Sequence, residues 1–317
     1  MRTLIALLLT LCVSLAATPT KAAGPSVTVS IQPVHSLAAK IMDGVGTPHL
    51  LLPPTSSPHH FSLKPSQAKN LRKADLVIWV GPTLEAALTE SIASLSADTQ
   101  VLSMIKASGL TTHPLRGGND WGNDHGHDHG HAHTHGQKRG AQAPDPHIWL
   151  NPLNGIAMAA HIARSLQKID PKNGKRYQEN FAALRRELTA LDNRLRTGLS
   201  AAAGRPYLVF HDGFQYFEKH YGLKPIGSVG EGHHRSPSAK RLSHLKREIA
   251  EHKIRCIFGE PQFKSRTVDM LAADSPAKVL VLDPLGASLP PGPGSYSIIL
   301  ENITSAITGC LAAKSPS

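Results

Sequence analysis

Apolar residues in this chain fall into two kinds of pattern, and their alternation predicts an α/β protein. Short apolar, β-branched runs at 26–31, 74–80, 207–210, 256–258 and 279–282 have the length and composition of buried strands. Between them lie segments with helical spacing of apolar positions, at 37–42, 65–71, 84–95 and 242–252. Strands alternating with helices imply βα units, parallel sheets and right-handed crossovers. In such sheets the C-terminal ends of the strands share one edge, and ligands bind there.

The stretch 171–199 breaks the alternation. Tyr177, Phe181, Leu184, Leu188, Leu191, Leu195 and Leu199 recur at steps of three and four. Charges such as Lys175, Glu179, Arg185, Arg186 and Arg194 occupy positions between them. This predicts one amphipathic helix, capped by Asp170, opened by Pro171 and about 40 Å long at 1.5 Å per residue. A stripe of this kind is core packing and not a binding face. The helix reads as a rigid strut between two α/β halves, restricting hinge opening more than a flexible linker would. The expected organisation is an N-terminal α/β lobe at 24–169, a linking helix at 170–200 and a C-terminal α/β lobe at 201–317.

Residues 1–23 stand apart. Arg2, the apolar core at 4–17 and the small residues ending at Ala23 predict a secretory signal, too short for a comfortable membrane span. Cys12 lies inside that core without the small residues before it that lipoprotein processing needs, so the expected product is exported and soluble. Removing the signal leaves Cys256 and Cys310. Two cysteines in an exported chain read as one disulfide, with two buried thiols as the alternative. Closing so long a loop contributes at most about 4 kcal/mol.

Composition narrows the function classes. The net charge of +11 does not indicate nucleic acid, because the chain is exported, aromatic residues are only 5% and the basic residues are scattered. The charge reflects solvated faces and helix ends, and only weakly favours an acidic partner. Histidine is the unusual residue. His125, His127, His129, His131, His133 and His135 occupy every second position of DWGNDHGHDHGHAHTHG (120–136). This tract has too little apolar surface to fold alone, so 117–140 reads as a disordered loop. Its neutral imidazoles suit Zn, Cu and Ni, which makes it an auxiliary metal loop.

Five further residues fall near strand ends or turns. His59 and His60 follow an apolar run at 49–52 and the turn-rich 53–58. His147 sits among prolines, in PDPHIWL. His211 directly follows the strand at 207–210, and Asp283 the strand at 279–282. Zinc takes such imidazole and carboxylate ligands. Position alone does not make them ligands, since a lone histidine after a strand is more often a hydrogen-bonded loop residue. Glu231, His233 and His234, in a Gly-rich stretch, read as solvated loop. No HExxH, paired CxxC or nucleophile elbow is present.

Five motifs change this balance: SPHHFSLKPSQ (57–67), PDPHIWLNP (144–152), VFHDGFQYFEKHYGL (209–223), CIFGEPQF (256–263) and VLDPLG (281–286). In this order they resemble the zinc-uptake solute-binding proteins of ABC transporters, the ZnuA-like branch of metal-binding cluster A-I. The resemblance runs from about residue 26 to the C-terminus. It implies two lobes joined by a long backbone helix, with Zn²⁺ in the cleft and a His-rich loop between the second and third motifs. It implies His59, His147 and His211 as ligands. His211 discriminates, because related manganese binders place a carboxylate there. Asp283 matches an acidic position in or beside the site. Some members carry an acid just before the first histidine. Here that residue is Pro58, so the fourth position falls to water, Asp283, His60 or a loop histidine. Glu260 matches a structural position, orienting a loop or a ligand histidine, and Cys256 and Cys310 match a disulfide. The implied role is non-enzymatic: a periplasmic monomer that captures zinc for an ABC membrane permease. Competing readings are an exported zinc hydrolase and a manganese-binding or adhesin member of the same family.

Overall fold

A computed structural model describes residues 24–116, 121, 143–230, 237–263, 266–273 and 275–312. The signal at 1–23, Glu231, His233, His234 and the six alternating histidines of the loop lie outside the described residues. In chain order the N-terminal half contains β1 (Val27–Val29), α1 (Gln32–Ile41), β2 (His49–Leu50), α2 (Pro65–Arg72), β3 (Leu76–Trp79), α3 (Thr89–Ala93), β4 (Gln100–Ser103) and α4 (Pro152–Ile169). The long helix α5 (Gly174–Leu199) follows. The C-terminal half contains β5 (Pro206–Val209), α6 (Gln215–Tyr221), β6 (Lys224–Ser228), α7 (Ala239–Glu251), β7 (Cys256–Gly259), α8 (Arg266–Ala272), β8 (Lys278–Val281) and α9 (Ser295–Leu311).

The strands form two four-stranded sheets, ordered β2-β1-β3-β4 and β6-β5-β7-β8, and every recorded pairing is parallel. The inner strands β1, β3 and β7 are buried at every residue, because helices cover both faces of a parallel sheet. The edge strands β4 and β8 are partly exposed. In each sheet the chain order reverses beside the first strand, opening a crevice at the carboxyl ends of the strands.

The periodic stripe of 171–199 forms α5, with Tyr177, Leu184, Leu188, Leu191, Leu195 and Leu199 buried. These side chains join residues of both sheets in one continuous core. A second, smaller core lies on the other side of the C-terminal sheet, under α7 and α8. Asp170 does not cap a backbone N–H of α5. Its carboxylate accepts from the Tyr177 hydroxyl at 2.7 Å and from Asn173 Nδ2 at 2.6 Å, so the helix opens through a short 3-10 turn at Pro171–Asn173. The helix expected at 84–95 is likewise broken, into a 3-10 turn at Ala86–Leu88 and α3. Cys256 on β7 is disulfide-bonded to Cys310 on α9. Among the described residues no helix is long and apolar enough to cross a membrane.

Candidate metal centre

Three histidines remote in sequence meet in the crevice between the two sheets. His59 comes from the turn-rich connection after β2. His147 opens a short 3-10 turn just before α4, and His211 stands at the carboxyl end of β5. His147 Nε2 lies 3.1 Å from His59 Nε2 and 3.3 Å from His211 Nε2. Two ligands of a tetrahedral zinc at Zn–N 2.0–2.1 Å are separated by about 3.3 Å. The three rings therefore sit at the spacing of neighbouring ligands around one ion, and they are the metal-ligating group found among the described residues. His147 and His211 are buried, whereas His59 is half-buried at the cleft mouth.

Carboxylates fix two of the three rings. His147 Nδ1–H donates to Asp145 Oδ1 at 2.7 Å, and the same oxygen accepts the His147 backbone N–H at 2.9 Å. His211 Nδ1–H donates to Glu260 Oε1 at 2.5 Å. β5 and β7 are adjacent strands, so His211 and Glu260 leave the sheet side by side. A proton held on Nδ1 leaves the lone pair of a neutral ring on Nε2. Two such lone pairs face each other at 3.3 Å, which is repulsive unless a cation stands between them. Burial pushes the His211 imidazole down, but Glu260, with Asp212 and Asp145 adding to it, holds the ring above its ordinary value. Either a proton or a metal ion can supply the missing charge.

The pocket is small. Between Pro58, His59, His147, His211, Phe263 and Leu285 there is about 10 Å³ of room for a water-sized sphere. That holds one ion or one water and no organic solute.

A charged network supports the C-terminal side. The Arg116 guanidinium pairs with the buried Glu218 and lies 3.4 Å from Asp212 Oδ1. Burial pushes Asp212 up to about 6 while Arg116 pulls it down. Arg116 also stacks on Trp121, 4.2 Å from the ring centroid, and the Trp121 backbone N–H donates to Ile226 O at 2.8 Å.

Other expected ligands fall elsewhere. Asp283 is not part of the converging group. Its carboxylate accepts backbone N–H bonds from Leu285 at 3.1 Å, Gly286 at 2.9 Å and Ala287 at 2.5 Å, and a 3.2 Å bond from Gln262. It brackets the turn after β8, beside the pocket and turned from it. His60 is exposed and outside the group, although adjacent to His59.

The motifs also hold residues whose roles were not read from them. Asp145 is legible in hindsight as Asp-x-His, the spacing at which one carboxylate can hold both the backbone and the ring of the histidine. Gly213 is the other: a Cβ there would lie 2.5 Å from His211 Cε1 and 2.7 Å from Nε2, so only glycine lets that ring stand where it does.

Two parallel α/β halves around an ion-sized pocket, with the long helix α5 packed into their common core, define a binding protein for a metal solute. Residues 27–310 match the family described as ZnuA, the periplasmic zinc-uptake complex component A, and the chain belongs to that family. The high-affinity zinc uptake system protein ZnuA of Paracoccus denitrificans is 38% identical over 319 residues, covering 97% of this chain and 98% of that one. The corresponding protein of Brucella suis is 34% identical over 305 residues, covering 90% and 91%. A crystal structure of ZnuA superposes with a TM-score of 0.76 at 28% identity, covering 91% of this chain and 99% of that one. A zinc-bound ZnuA deletion mutant gives 0.75 at 28%, covering 92% and 99%. A streptococcal laminin-binding protein at 21% identity shares the fold.

Proposed function

We propose that this protein is the zinc-capturing component of an ABC-type import system. It holds one Zn²⁺ between its lobes through His59, His147 and His211, with the fourth position left to water, and delivers the ion to a membrane permease. The observation that carries this reading is the pair of Nε2···Nε2 separations, 3.1 and 3.3 Å, with two Nδ1 protons tied to carboxylates. The zinc-uptake relatives and the zinc-bound neighbour support it. An all-nitrogen set favours zinc over manganese, which prefers oxygen.

Export by the signal at 1–23, action as a periplasmic monomer, and auxiliary ion capture by the His-rich loop complete the proposal. So does the division into lobes at 24–169 and 201–317 around the strut at 170–200. The exported hydrolase is the poorer reading, because a pocket of about 10 Å³ has no space for an ester or peptide beside the ion.

A calorimetric zinc titration of the chain without residues 1–23 tests the assignment. One tight site is expected to survive deletion of 117–140 and to vanish in His147→Ala or His211→Ala. Retention of that site in both histidine variants would sink the assignment.

A further inference from the structure

We propose that Gln262 is the positioning residue for His59: a tether across the cleft that holds the His59 loop against the C-terminal half and slows the escape of the bound ion. It rests on the zinc reading above and adds to it a residue that sets the rate of release.

The three rings are held differently. His147 and His211 each meet a carboxylate at Nδ1 from their own half of the chain, Asp145 and Glu260. His59 is half-buried at the cleft mouth, on the connection between β2 and α2. Where its ring stands depends on where that loop stands. The root of the loop is fixed to the N-terminal half. Leu51 and Leu52 are buried, and their backbone N–H groups donate to Val29 O at 2.8 Å and Ser30 O at 3.0 Å. Beyond the root the chain makes two tight turns, with Ser56 N–H donating to Pro53 O at 2.9 Å and His60 N–H to Ser57 O at 3.3 Å. Pro53, Pro54 and Pro58 restrict φ along it. A segment this stiff moves as a unit, so a hold on one of its carbonyls is a hold on His59.

Gln262 supplies that hold. Its Nε2 donates to Pro54 O at 2.9 Å and to Asp283 Oδ1 at 3.2 Å. A backbone carbonyl can only accept, so the nitrogen and not the oxygen of the amide faces Pro54. Asp283 is itself pinned by the backbone N–H groups of Leu285, Gly286 and Ala287, which makes it a fixed anchor on the C-terminal half. Glu260 lies two residues before Gln262, in a turn closed by Phe263 N–H donating to Glu260 O at 3.2 Å. One short turn after β7 thus orients His211 through Glu260 and holds the loop of His59, from the other half, through Gln262. Moving His59 away from the other two rings requires the Gln262 bond to break. Losing that bond leaves all three ligands in place, so the effect falls on dissociation more than on association. About a tenfold change is expected, the low end for a group that orients a ligand from outside.

Gln262→Met keeps the length of the side chain and removes its N–H groups. The chain without residues 1–23, parent or variant, is loaded with one equivalent of zinc. Stopped-flow mixing with excess chromogenic chelator gives the release rate, and carbethoxylation read by peptide mass spectrometry gives the reactivity of each histidine. In the parent, zinc is expected to protect His59, His147 and His211. In Gln262→Met, release is expected to be about tenfold faster and association within about twofold of the parent. His59 alone is expected to regain reactivity in the loaded variant. An unchanged release rate overturns the proposal. So does equal exposure of all three histidines together with a lower urea midpoint, which is the signature of a residue that serves folding only. Failure of zinc to protect His59 in the parent is a different result: it removes His59 from the metal site, and the tether falls with the zinc reading itself.

Discussion

Replacing Glu260 by glutamine is expected to weaken zinc binding about tenfold, acting through His211. Glu260 and His211 are 6% and 4% exposed, and the Nδ1–H···Oε1 bond is 2.5 Å long. Carboxylates that orient a ligand imidazole contribute about 10–100-fold in metal affinity, or about 1.4–2.8 kcal/mol. Glutamine keeps the shape and can still accept the Nδ1 proton, so it falls at the low end. Glu260→Ala leaves the ring without an acceptor and falls at the high end.

The pH dependence gives a second signature. In the metal-free protein Glu260 is the first of the carboxylates, with Asp212 and Asp145, that hold His211 above its ordinary value against burial. Without the Glu260 charge, protonation of His211 moves to lower pH. Acid then competes less with zinc in the variant than in the parent, so the ratio of their affinities shrinks on acidification. Chelator-competition titrations between about pH 5.5 and 8 measure this, with circular dichroism confirming the fold. Unchanged affinity near neutrality, or a ratio that grows in acid, would refute the orienting role.

Other perturbations follow the same geometry. Gly213→Ala drives a methyl into the His211 ring and is expected to reduce zinc affinity with little loss of secondary structure, as titration and circular dichroism would show. Arg116→Met leaves the buried Glu218 and the half-buried Asp212 without their cation, and urea unfolding is expected to show a loss of about 3–5 kcal/mol. A loss under about 1 kcal/mol would mean that the pair is solvated. For the metal-free protein, the raised His211 value adds stability that is full below the unfolded value of about 6.5 and is lost as pH rises through the folded value. Zinc needs the neutral ring, so the increase in melting temperature on adding zinc is expected to grow over that same interval. A larger increase in acid than at about pH 8 would contradict the assignment.

Legibility in the sequence tracked local burial. The strands at 26–31, 74–80, 207–210, 256–258 and 279–282 were readable because apolar and β-branched residues dominate each of these short runs. β4 and β6 were not, since β4 is exposed over its first half and β6 begins with Lys224 and Pro225. The pattern of α9 was available, with Ile299, Ile303 and Ile307 at steps of four, but its Ser and Thr content masked it. Asp170 shows the limit of capping rules: a partner hydroxyl, Tyr177, seven residues on, took the carboxylate that a backbone N–H would have used.

By itself the sequence determined the alternation of βα units, the long amphipathic helix, the cysteine pair and the three motif histidines. Each is a matter of residue type or of spacing along a few turns of chain. Tertiary structure decided the rest. His147 meets partners 88 and 64 residues away, and whether their nitrogens share an ion depends on how both sheets pack against α5. The same packing sets Glu260 beside His211, because β7 happens to lie next to β5. It also turns Asp283 onto its own backbone. Hydrophobic spacing records which face is buried, but not which distant face it is buried against.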